Sequence, residues 1–402
     1  MSFRERGGPL AGIRVLEITK VWAGPYAGKM LSMLGAEVIK AESMGALDEM
    51  RAYGGVDIEH APYFLSHNTE ILSVQVNLKS QEGLAKLRDM IAHCDILIDN
   101  IRPGAMERLG LGYEDLKKVR PDIIHVSIKM YGNDGPLGYQ TGYAPCFAAI
   151  GGLTYLVGQE DDVPRGMNIR YGDATVGAAA AFAAIVALHH RERTGEGQFV
   201  DVSAVETMST LIGDSLFAAN LTGEVPRPDG NFHPELAPHG AYPCQDGGWI
   251  AIACGSDEEF HALAAGLGAP ELANDPRFAR CDRRVANHHA LDDVLGTLTF
   301  VHDADALGET LRATGVAAYP SASSMALVSD SSLWEREAFR MVRNGNGDSR
   351  PVVGPSWRMT PDDAAIEHGA PLLGEHNDYV YREMLGLSRE ELGGLVARGV
   401  VD

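Results

Sequence analysis

The chain has 402 residues, of which 45% are hydrophobic and 22% are charged. This composition is ordinary for a globular protein that can bury a large core and form about two domains. Asp and Glu number 55 against 34 Lys and Arg, so the formal net charge is -21. Such a charge excludes binding to nucleic acid or to an anionic membrane through bulk electrostatics. Any site for phosphates or carboxylates must therefore be a local basic pocket.

Cysteine and histidine usage gives no sign of a disulfide framework or a metal centre. The five cysteines form no Cys-x-x-Cys pair, and the 14 histidines show no spacing such as His-Glu-x-x-His. We expect reduced thiols, no metal and a cytoplasmic location. The first ten residues lack the apolar run of a signal peptide, and no uncharged apolar stretch reaches about 18 residues. We therefore expect no membrane span.

The N-terminal region predicts a parallel sheet. Apolar runs at 13–18 and 37–42 are typical of strands, and a helix over 22–34, closed by Gly35, is predicted between them. A strand, a helix and a second strand in this order form a βαβ unit. The turn lacks the Gly-x-Gly-x-x-Gly pattern, so the sequence does not predict a dinucleotide site or an NAD(P)-dependent enzyme.

Further strands are predicted at 72–78, 95–100 and 123–128. The strand at 95–100 leads into a helix with Pro103 near its start, and such strand-to-helix turns are where α/β sheets bind phosphates. The residues alone leave the role of the nearby cations open. Arg108 could contact a phosphate or be a surface helix charge, and Lys40 could do the same or be a solvated charge at a strand end.

The most informative stretch is 170–177 (RYGDATVG), followed by an apolar segment of small residues at 178–188. A helix that is apolar on all sides is typically buried. An aspartate at its start is favoured by capping geometry and by the helix dipole. Asp173 could therefore be a plain helix cap, or a carboxylate held at the end of a buried helix as a nucleophile.

The C-terminal half predicts a second module. Residues 226–230 (PRPDG) are typical of a linker, and 242–253 predicts a hairpin with Asp-Gly at its turn. Helices are predicted at 257–267 and 287–298. The stretch at 344–370 is polar and rich in glycine and proline, and a last helix ends near Leu385.

Asp173, together with residues 191–203 (RERTGEGQFVDVS), resembles the central signature of the family III (CaiB–BaiF type) CoA-transferases. Residues 22–25 (WAGP), 35–42 (GAEVIKAE) and 100–110 (NIRPGAMERLG) are similar to other motifs of that family, so the likeness covers nearly the whole chain. The resemblance implies an α/β fold in which a Rossmann-like large domain is built from 1–225 and 344–402. A linker and smaller α/β domain over 226–343 lie between them, and two identical chains interlock as a homodimer.

The resemblance also implies the site residues. Asp173 is expected to form the covalent intermediates. CoA is expected to contact a set of positions matching the family motifs: Trp22, Ala23, Lys40, Asn100, Ile101, Arg108 and Tyr143. In the loop at 231–240, His233, Glu235 and His239 either shape the acceptor pocket or are ordinary polar loop groups. Ile71 and Leu72 stand where the family usually has a Lys-Arg pair, so one expected phosphate contact is missing.

The implied reaction moves CoA from an acyl-CoA, such as succinyl-CoA, to a free carboxylic acid. Aspartyl anhydride and aspartyl-CoA thioester are the expected intermediates, with CoA in the substrate and no metal or redox cofactor. Trp22 stands where the formyl/oxalate branch has glutamine, which favours an apolar or aromatic acceptor.

Two alternatives remain open. A 2-methylacyl-CoA racemase on the same fold would need two proton carriers, but Tyr143 and Ala144 stand where racemases have a His-Asp pair. A CoA-binding partner subunit of a heteromeric transferase would have no need of Asp173.

Overall fold

The computed structural model describes residues 6–160, 162–165 and 169–402. The chain forms two compact units. The first comprises 1–155, 165–226 and 331–402, and the second comprises 156–164 and 227–330. The second unit thus includes 156–164 and ends at 330, whereas the expected small domain ran from 226 to 343. The expected domain limits themselves stay a prediction.

The strands are numbered in chain order: β1 (Arg14–Ile18), β2 (Glu37–Glu42), β3 (Ile71–Gln75), β4 (Ile96–Asp99), β5 (Ile124–Lys129), β6 (Phe199–Ser203), β7 (His239–Pro243), β8 (Trp249–Ala253), β9 (Ala317–Pro320), β10 (Phe339–Arg343) and β11 (Ser349–Val353).

The α-helices are α1 (Ala23–Ser32), α2 (Pro62–His67), α3 (Gln81–Ile91), α4 (Ala105–Arg108), α5 (Tyr113–Val119), α6 (Ala144–Ile150), α7 (Leu153–Leu156), α8 (Ile169–Thr194), α9 (Ala204–Ser209), α10 (Gly213–Thr222), α11 (Asp257–Gly266), α12 (Cys281–Ala286), α13 (His288–Thr299), α14 (Ala304–Ala313), α15 (Ser324–Ser329), α16 (Ser331–Glu335) and α17 (Arg389–Ala397). A π-helical segment, Tyr379–Met384, precedes α17.

The first unit is built on a six-stranded parallel sheet with the order β3-β2-β1-β4-β5-β6. Strands β1, β2 and β3 follow one another toward one edge of the sheet, and β4, β5 and β6 follow one another from the other side of β1 toward the opposite edge. The strand order therefore reverses between β1 and β4, and open α/β sheets bind ligands in the crevice beyond the carboxyl ends of such strands. The predicted α/β class and parallel sheet are confirmed.

Both faces of this sheet are covered, because its strands are apolar on both sides. On one face, Val15 and Ile98 belong to a core cluster that also holds residues of α1 and α8. On the other face, Leu16 and Leu97 pack with residues of α3 and of the C-terminal segment. The buried Tyr381 donates a hydrogen bond from its hydroxyl to the Gln75 carbonyl over 2.7 Å, which ties the chain's end to β3.

The second unit has a three-stranded antiparallel sheet, ordered β7-β8-β9. Strand β8 alternates as a half-buried strand should, with Ile250 and Ile252 buried and Trp249 exposed. The buried residues join Phe260 and Leu263 of α11 in a core of their own. The hairpin predicted over 242–253 corresponds to β7 and β8.

Helix α8 differs from the sequence-based expectation in two ways. It already begins by Ile169, so Asp173 lies inside its first turns and not at its cap. The helix is also not buried on all sides, because Phe182 and Val186 are exposed. By length and composition, Tyr171–Thr194 could cross a membrane, since an 18-residue window within it has a mean hydropathy of 1.5, but 50% of that window is buried within the chain. Core helices of globular proteins share these properties, so the feature is weak evidence for a membrane span.

Candidate active site

The turn between β1 and α1 leads to a helix start whose first backbone amides point out of the helix. Trp22 is the residue before α1, and its side chain makes no capping hydrogen bond. The first amides of a helix have no acceptor within the helix, and Pro25 has no N–H. Ala23 and Gly24 therefore supply the donors at this helix end, where the dipole also favours a negative charge.

Asp173 lies against this helix end because α8 crosses α1 closely. A Cβ built at Gly177 would lie 2.6 Å from the Ala23 carbonyl oxygen, so a larger residue there would push the helices apart. Asp173 is four residues before Gly177 and so lies on the same face of α8. Its side chain is buried, with 8% exposed, and the Ala23 amide donates a hydrogen bond to its carboxylate.

Burial sets the electrostatics of this carboxylate. Desolvation raises the pKa of Asp173 from 3.8 to about 6, while the hydrogen bond from Ala23 acts in the opposite direction. At neutral pH the group is therefore mostly ionised but poorly solvated, which suits a nucleophile. The alternative role as a helix cap is wrong, because α8 already includes Ile169, four residues before Asp173.

Tyr143 lies at the start of α6, which packs beside the same part of α8. A Cβ at Gly172 would lie 2.8 Å from the Phe147 ring and 3.3 Å from Cβ of Ala144, so this glycine allows the close contact. Tyr143 precedes α6, and its side chain is 65% exposed. The expected aromatic side chain is thus on the surface of the first unit, near the helix that carries Asp173.

The indole of Trp22 points away from solvent. Only 6% of the residue is exposed, and it belongs to a small cluster with Met50 and Phe64. Its ring makes edge contacts with Tyr63 and His67, at centroid distances of 5.6 and 4.1 Å. The indole therefore offers little surface to an acceptor acid, in contrast to the expectation drawn from the sequence.

Asn100 directly follows β4, at the point of the sheet where the strand order reverses. Its Nδ2 donates to the Lys20 carbonyl over 2.7 Å, and its Oδ1 accepts the Lys20 amide at 2.8 Å. A Cβ at Gly24 would lie 2.9 Å from Cγ of Asn100, so α1 starts directly above this amide. The side chain that was expected to contact CoA thus also fixes the turn before α1.

Arg108 and Ile101 occupy the loop and short helix beyond β4. Arg108 is exposed, and its two terminal nitrogens each lie 3.5 Å from the Pro103 carbonyl oxygen, at the limit of a hydrogen bond. Ile101 is half-buried and packs on the core cluster of that sheet face. The guanidinium is accessible for a phosphate. Ile71 and Leu72, where the family has its Lys-Arg pair, are buried in β3.

Lys40 does not face solvent, so the expected contact with a nucleotide does not hold in this conformation. It lies within β2, paired in register with Glu17 of β1, and is fully buried. Its ammonium is 3.0 Å from the Thr19 carbonyl oxygen and 3.1 Å from Oδ2 of Asp48. The sequence-based prediction placed Lys40 at a strand end, but Lys40 lies two residues before the end of β2. Because β2 is flanked by β1 and β3, its side chains are covered.

The loop residues expected near the acceptor lie in the second unit. His233 and His239 line a cavity of about 520 Å³, and their rings are 5.2 Å apart. Glu235 is exposed, and its backbone amide donates to Nδ1 of His233 over 3.1 Å. Their role in an acceptor pocket stays a prediction.

The same cavity has one group of side chains that the sequence spacing did not reveal. Donor atoms of Glu160, His288 and His289 lie within 4.8 Å of one another, close enough to hold a metal ion. Nε2 of His289 already lies 2.8 Å from Glu160 Oε2, and all three residues are at least partly exposed. A surface ion pair accounts for this arrangement.

Comparisons with known proteins agree with the geometry. The sequence model of CoA-transferase family III matches residues 10–377. The chain is 32% identical over 404 residues to succinyl-CoA--D-citramalate CoA-transferase of Chloroflexus aurantiacus, covering 100% of both proteins. It is also 32% identical to the beta subunit of succinyl-CoA--L-malate CoA-transferase of that organism, covering 98% of each.

A solved structure confirms the fold. The crystal structure of a CAIB/BAIF family protein from Brucella suis superposes with a TM-score of 0.87 at 32% sequence identity, covering 94% of this chain and 100% of that one. The family match spans both units, including Asp173 and the turn before α1. This chain belongs to CoA-transferase family III.

Proposed function

We propose that this enzyme transfers CoA from succinyl-CoA to a short dicarboxylic acid, with Asp173 as the nucleophile. The observation that carries the proposal is the buried Asp173 carboxylate, held by the Ala23 amide at the start of α1. The donor and the acceptor class are suggested by the two relatives, which are named for succinyl-CoA with citramalate and with malate.

The first half of the reaction loads CoA onto the enzyme. Asp173 attacks the thioester carbonyl, the C–S bond breaks, and an acyl-aspartyl anhydride and CoA thiolate result. The thiolate then attacks the aspartyl carbonyl, which releases succinate and leaves an aspartyl-CoA thioester. The amide of Gly24, which has no acceptor within α1, is suitably placed to stabilise the oxyanion at each addition.

The second half passes CoA on. The acceptor carboxylate attacks the aspartyl-CoA carbonyl and expels CoA thiolate, forming a second anhydride. The thiolate attacks the acceptor's acyl carbon, which yields the new acyl-CoA and restores the Asp173 carboxylate. Every step exchanges activated acyl groups without a change in oxidation state. The protein's main tasks are therefore to supply N–H donors and to exclude water, since anhydrides hydrolyse.

A dicarboxylate acceptor replaces the apolar or aromatic acid that Trp22 favoured at the sequence level. That expectation required an exposed indole, but only 6% of Trp22 is exposed. The test is to incubate the enzyme with succinyl-CoA and a panel containing citramalate, malate, glutarate, oxalate and benzylsuccinate, and to detect new CoA esters by mass spectrometry. We expect CoA esters of the short aliphatic dicarboxylic acids and none of benzylsuccinate. Turnover of benzylsuccinate alone would restore the earlier expectation.

We place CoA at the crevice between the ends of β1 and β4. The strand order reverses there, Asn100 and Ile101 follow β4 directly, and Arg108 ends the short helix α4 beyond them. The thioester end would then reach the turn with Trp22 and Ala23, with Tyr143 beside it. Lys40 is not included among the direct contacts, because its ammonium is engaged by Thr19 and Asp48.

A racemase remains the alternative reaction to exclude. Racemisation needs proton carriers on both faces of the α-carbon, and Tyr143 with Ala144 does not provide the imidazole of the usual pair. An enantiopure 2-methylacyl-CoA in deuterated water should therefore not exchange its α-proton at a catalytic rate. Rapid deuterium uptake without an acceptor acid would support racemisation instead.

We infer that the enzyme acts as a homodimer. Large apolar residues are exposed on the first unit along α8 and α10, including Phe182, Phe217 and Leu221, and α10 buries none of its residues within the chain. A second copy would cover such surface. One relative is named as a subunit of a transferase, so a non-identical partner is the competing possibility.

We also propose a cytoplasmic location, which the free cysteines fit.

A further inference from the structure

The turn that presents the Ala23 amide is held in a strained conformation. Val21 has φ of +67°, in the left-handed region, where a β-branched residue is an outlier. Such backbone costs on the order of 1–3 kcal/mol and persists only when its surroundings enforce it. Val21 lies two residues before Ala23, so this local conformation determines where the amides at the start of α1 point.

Two side chains enforce the conformation. Asn100 makes both hydrogen bonds to Lys20, as described above. Asp48 accepts the Val21 amide at 2.8 Å and the Met50 amide at 3.0 Å, both through Oδ1. The carboxamide of Asn100 and the carboxylate of Asp48 thus hold two successive residues of the turn, Lys20 and Val21.

Asp48 is in turn held by Lys40. Oδ2 of Asp48 lies 3.1 Å from the ammonium, and both side chains are fully buried. Lys40 also donates to the Thr19 carbonyl over 3.0 Å and to Thr19 Oγ1 over 3.2 Å. Burial lowers the pKa of Lys40, but Asp48, Glu17 and Glu42 outweigh it and raise the pKa to about 12. The lysine is therefore a permanent cation that fixes both Asp48 and the end of β1.

We propose that Asp48 and Lys40 are positioning residues for catalysis, which hold Val21 in its left-handed conformation so that the start of α1 donates to Asp173 and to the oxyanion. The proposal rests on the proposed function of Asp173. It explains the role of Lys40, which is buried and so does not make the nucleotide contact expected from the sequence. The chain of contacts runs from Lys40 through Asp48 and Val21 to the Ala23 amide.

The test replaces Asp48 by asparagine, which keeps one oxygen but places an NH₂ group toward the buried ammonium. We expect kcat to fall roughly 10- to 100-fold with little change in KM for the acyl-CoA, since the reacting groups are misplaced. The pH midpoint of the first half-reaction should rise above about 6, because the Ala23 hydrogen bond lowers the pKa of Asp173. Asp57→Asn, in the same region but half-exposed and paired with His60, is the matched control.

The pH midpoint separates positioning from simple loss of stability. If Asp48→Asn is less stable but keeps the wild-type midpoint and kcat, the proposal is wrong. If Asp48→Asn does not fold, Val21→Gly is added, because glycine adopts a positive φ without strain. The proposal then predicts a folded double variant with a midpoint close to that of Val21→Gly alone. A double variant that folds no better than the single one contradicts it.

The proposed function has its own control in the same series. Asp173→Asn should be inactive whatever happens at position 48. Full activity of Asp173→Asn would overturn the role of Asp173, whereas an inactive Asp173→Asn beside an unaltered Asp48→Asn would overturn only the positioning proposal.

Discussion

At the scale of single residues, the reactivity assigned to Asp173 depends on its poor solvation. The Ala23 amide donates a hydrogen bond to the carboxylate, while burial raises the pKa of Asp173 to about 6. A carboxylate in water is a weak nucleophile, and partial desolvation leaves its charge more available. The same desolvation should appear as a cost in stability, which gives a test that does not require substrate.

We predict that Asp173→Asn stabilises the protein at neutral and alkaline pH. The folded pKa, about 6, lies above the ordinary value of 3.8. Between these values the folded state binds more protons, so Asp173 lowers stability as pH rises through this window. Its removal should raise the free energy of unfolding by about 1–3 kcal/mol at pH 8, with the gain vanishing below pH 4.

Urea unfolding of wild type and Asp173→Asn at several pH values checks this prediction. Asp57→Asn is a suitable control, because hydrogen bonds with His60 lower the pKa of that exposed carboxyl, so its removal should not stabilise the protein. Equal stability of wild type and Asp173→Asn across the range would mean that Asp173 is solvated in the folded state.

Arg108 is the residue from which we expect the clearest contribution to CoA binding. Its guanidinium is exposed beyond the end of β4, and Arg108→Ala should weaken binding of an acyl-CoA by roughly 1–3 kcal/mol, as for a hydrogen bond to a charged group. Calorimetry measures this. Arg389→Ala removes an exposed arginine at the start of α17 and should leave the affinity unchanged. An unaltered dissociation constant in Arg108→Ala would remove this residue from the site.

At the scale of elements, the site depends on the crossing of α1 and α8. We predict that Gly177→Ala costs about 1–3 kcal/mol of stability and most of the activity, because its Cβ would lie 2.6 Å from the Ala23 carbonyl. Gly393→Ala, in the interior of α17 with no atom within 4 Å of the added Cβ, should instead stabilise by roughly 0.5–1 kcal/mol. Thermal unfolding and turnover together would detect both effects, and a Gly177→Ala enzyme with full activity would contradict the packing described here.

The sequence predicted the elements better than their contacts. Apolar runs located the central strands, because strands covered on both faces are continuous in hydrophobicity. The same patterns could not show that Lys40 points into the protein, since this depends on its pairing with Glu17 in the neighbouring strand. The left-handed Val21 was also beyond sequence reasoning, because a valine gives no signal for positive φ. The extent of α8 before Asp173 was not predicted, because an aspartate ahead of an apolar run is typical of a helix start, whereas the helix already includes Ile169.

At the scale of the whole molecule, the exposed apolar residues of α8 and α10 predict self-association. We expect light scattering to give the mass of a dimer for the purified chain alone. Phe217→Asp should shift the equilibrium toward monomer, because Phe217 is 68% exposed in the single chain and would place a charge in the interface. Phe300→Asp, at a similarly exposed position in the second unit, is the control. A monomeric wild type would exclude the homodimer.

Mass spectrometry of the enzyme after incubation with succinyl-CoA and hydroxylamine tests the role of Asp173 most directly. If Asp173 carries the covalent intermediates, hydroxylamine should convert it to a hydroxamate and inactivate the enzyme, and peptide mapping should locate the modification at Asp173. Asp173→Asn, verified to be free of deamidation, should give neither adduct nor turnover while still binding acyl-CoA. An unmodified Asp173 in an active enzyme, or full turnover by Asp173→Asn, would contradict the mechanism.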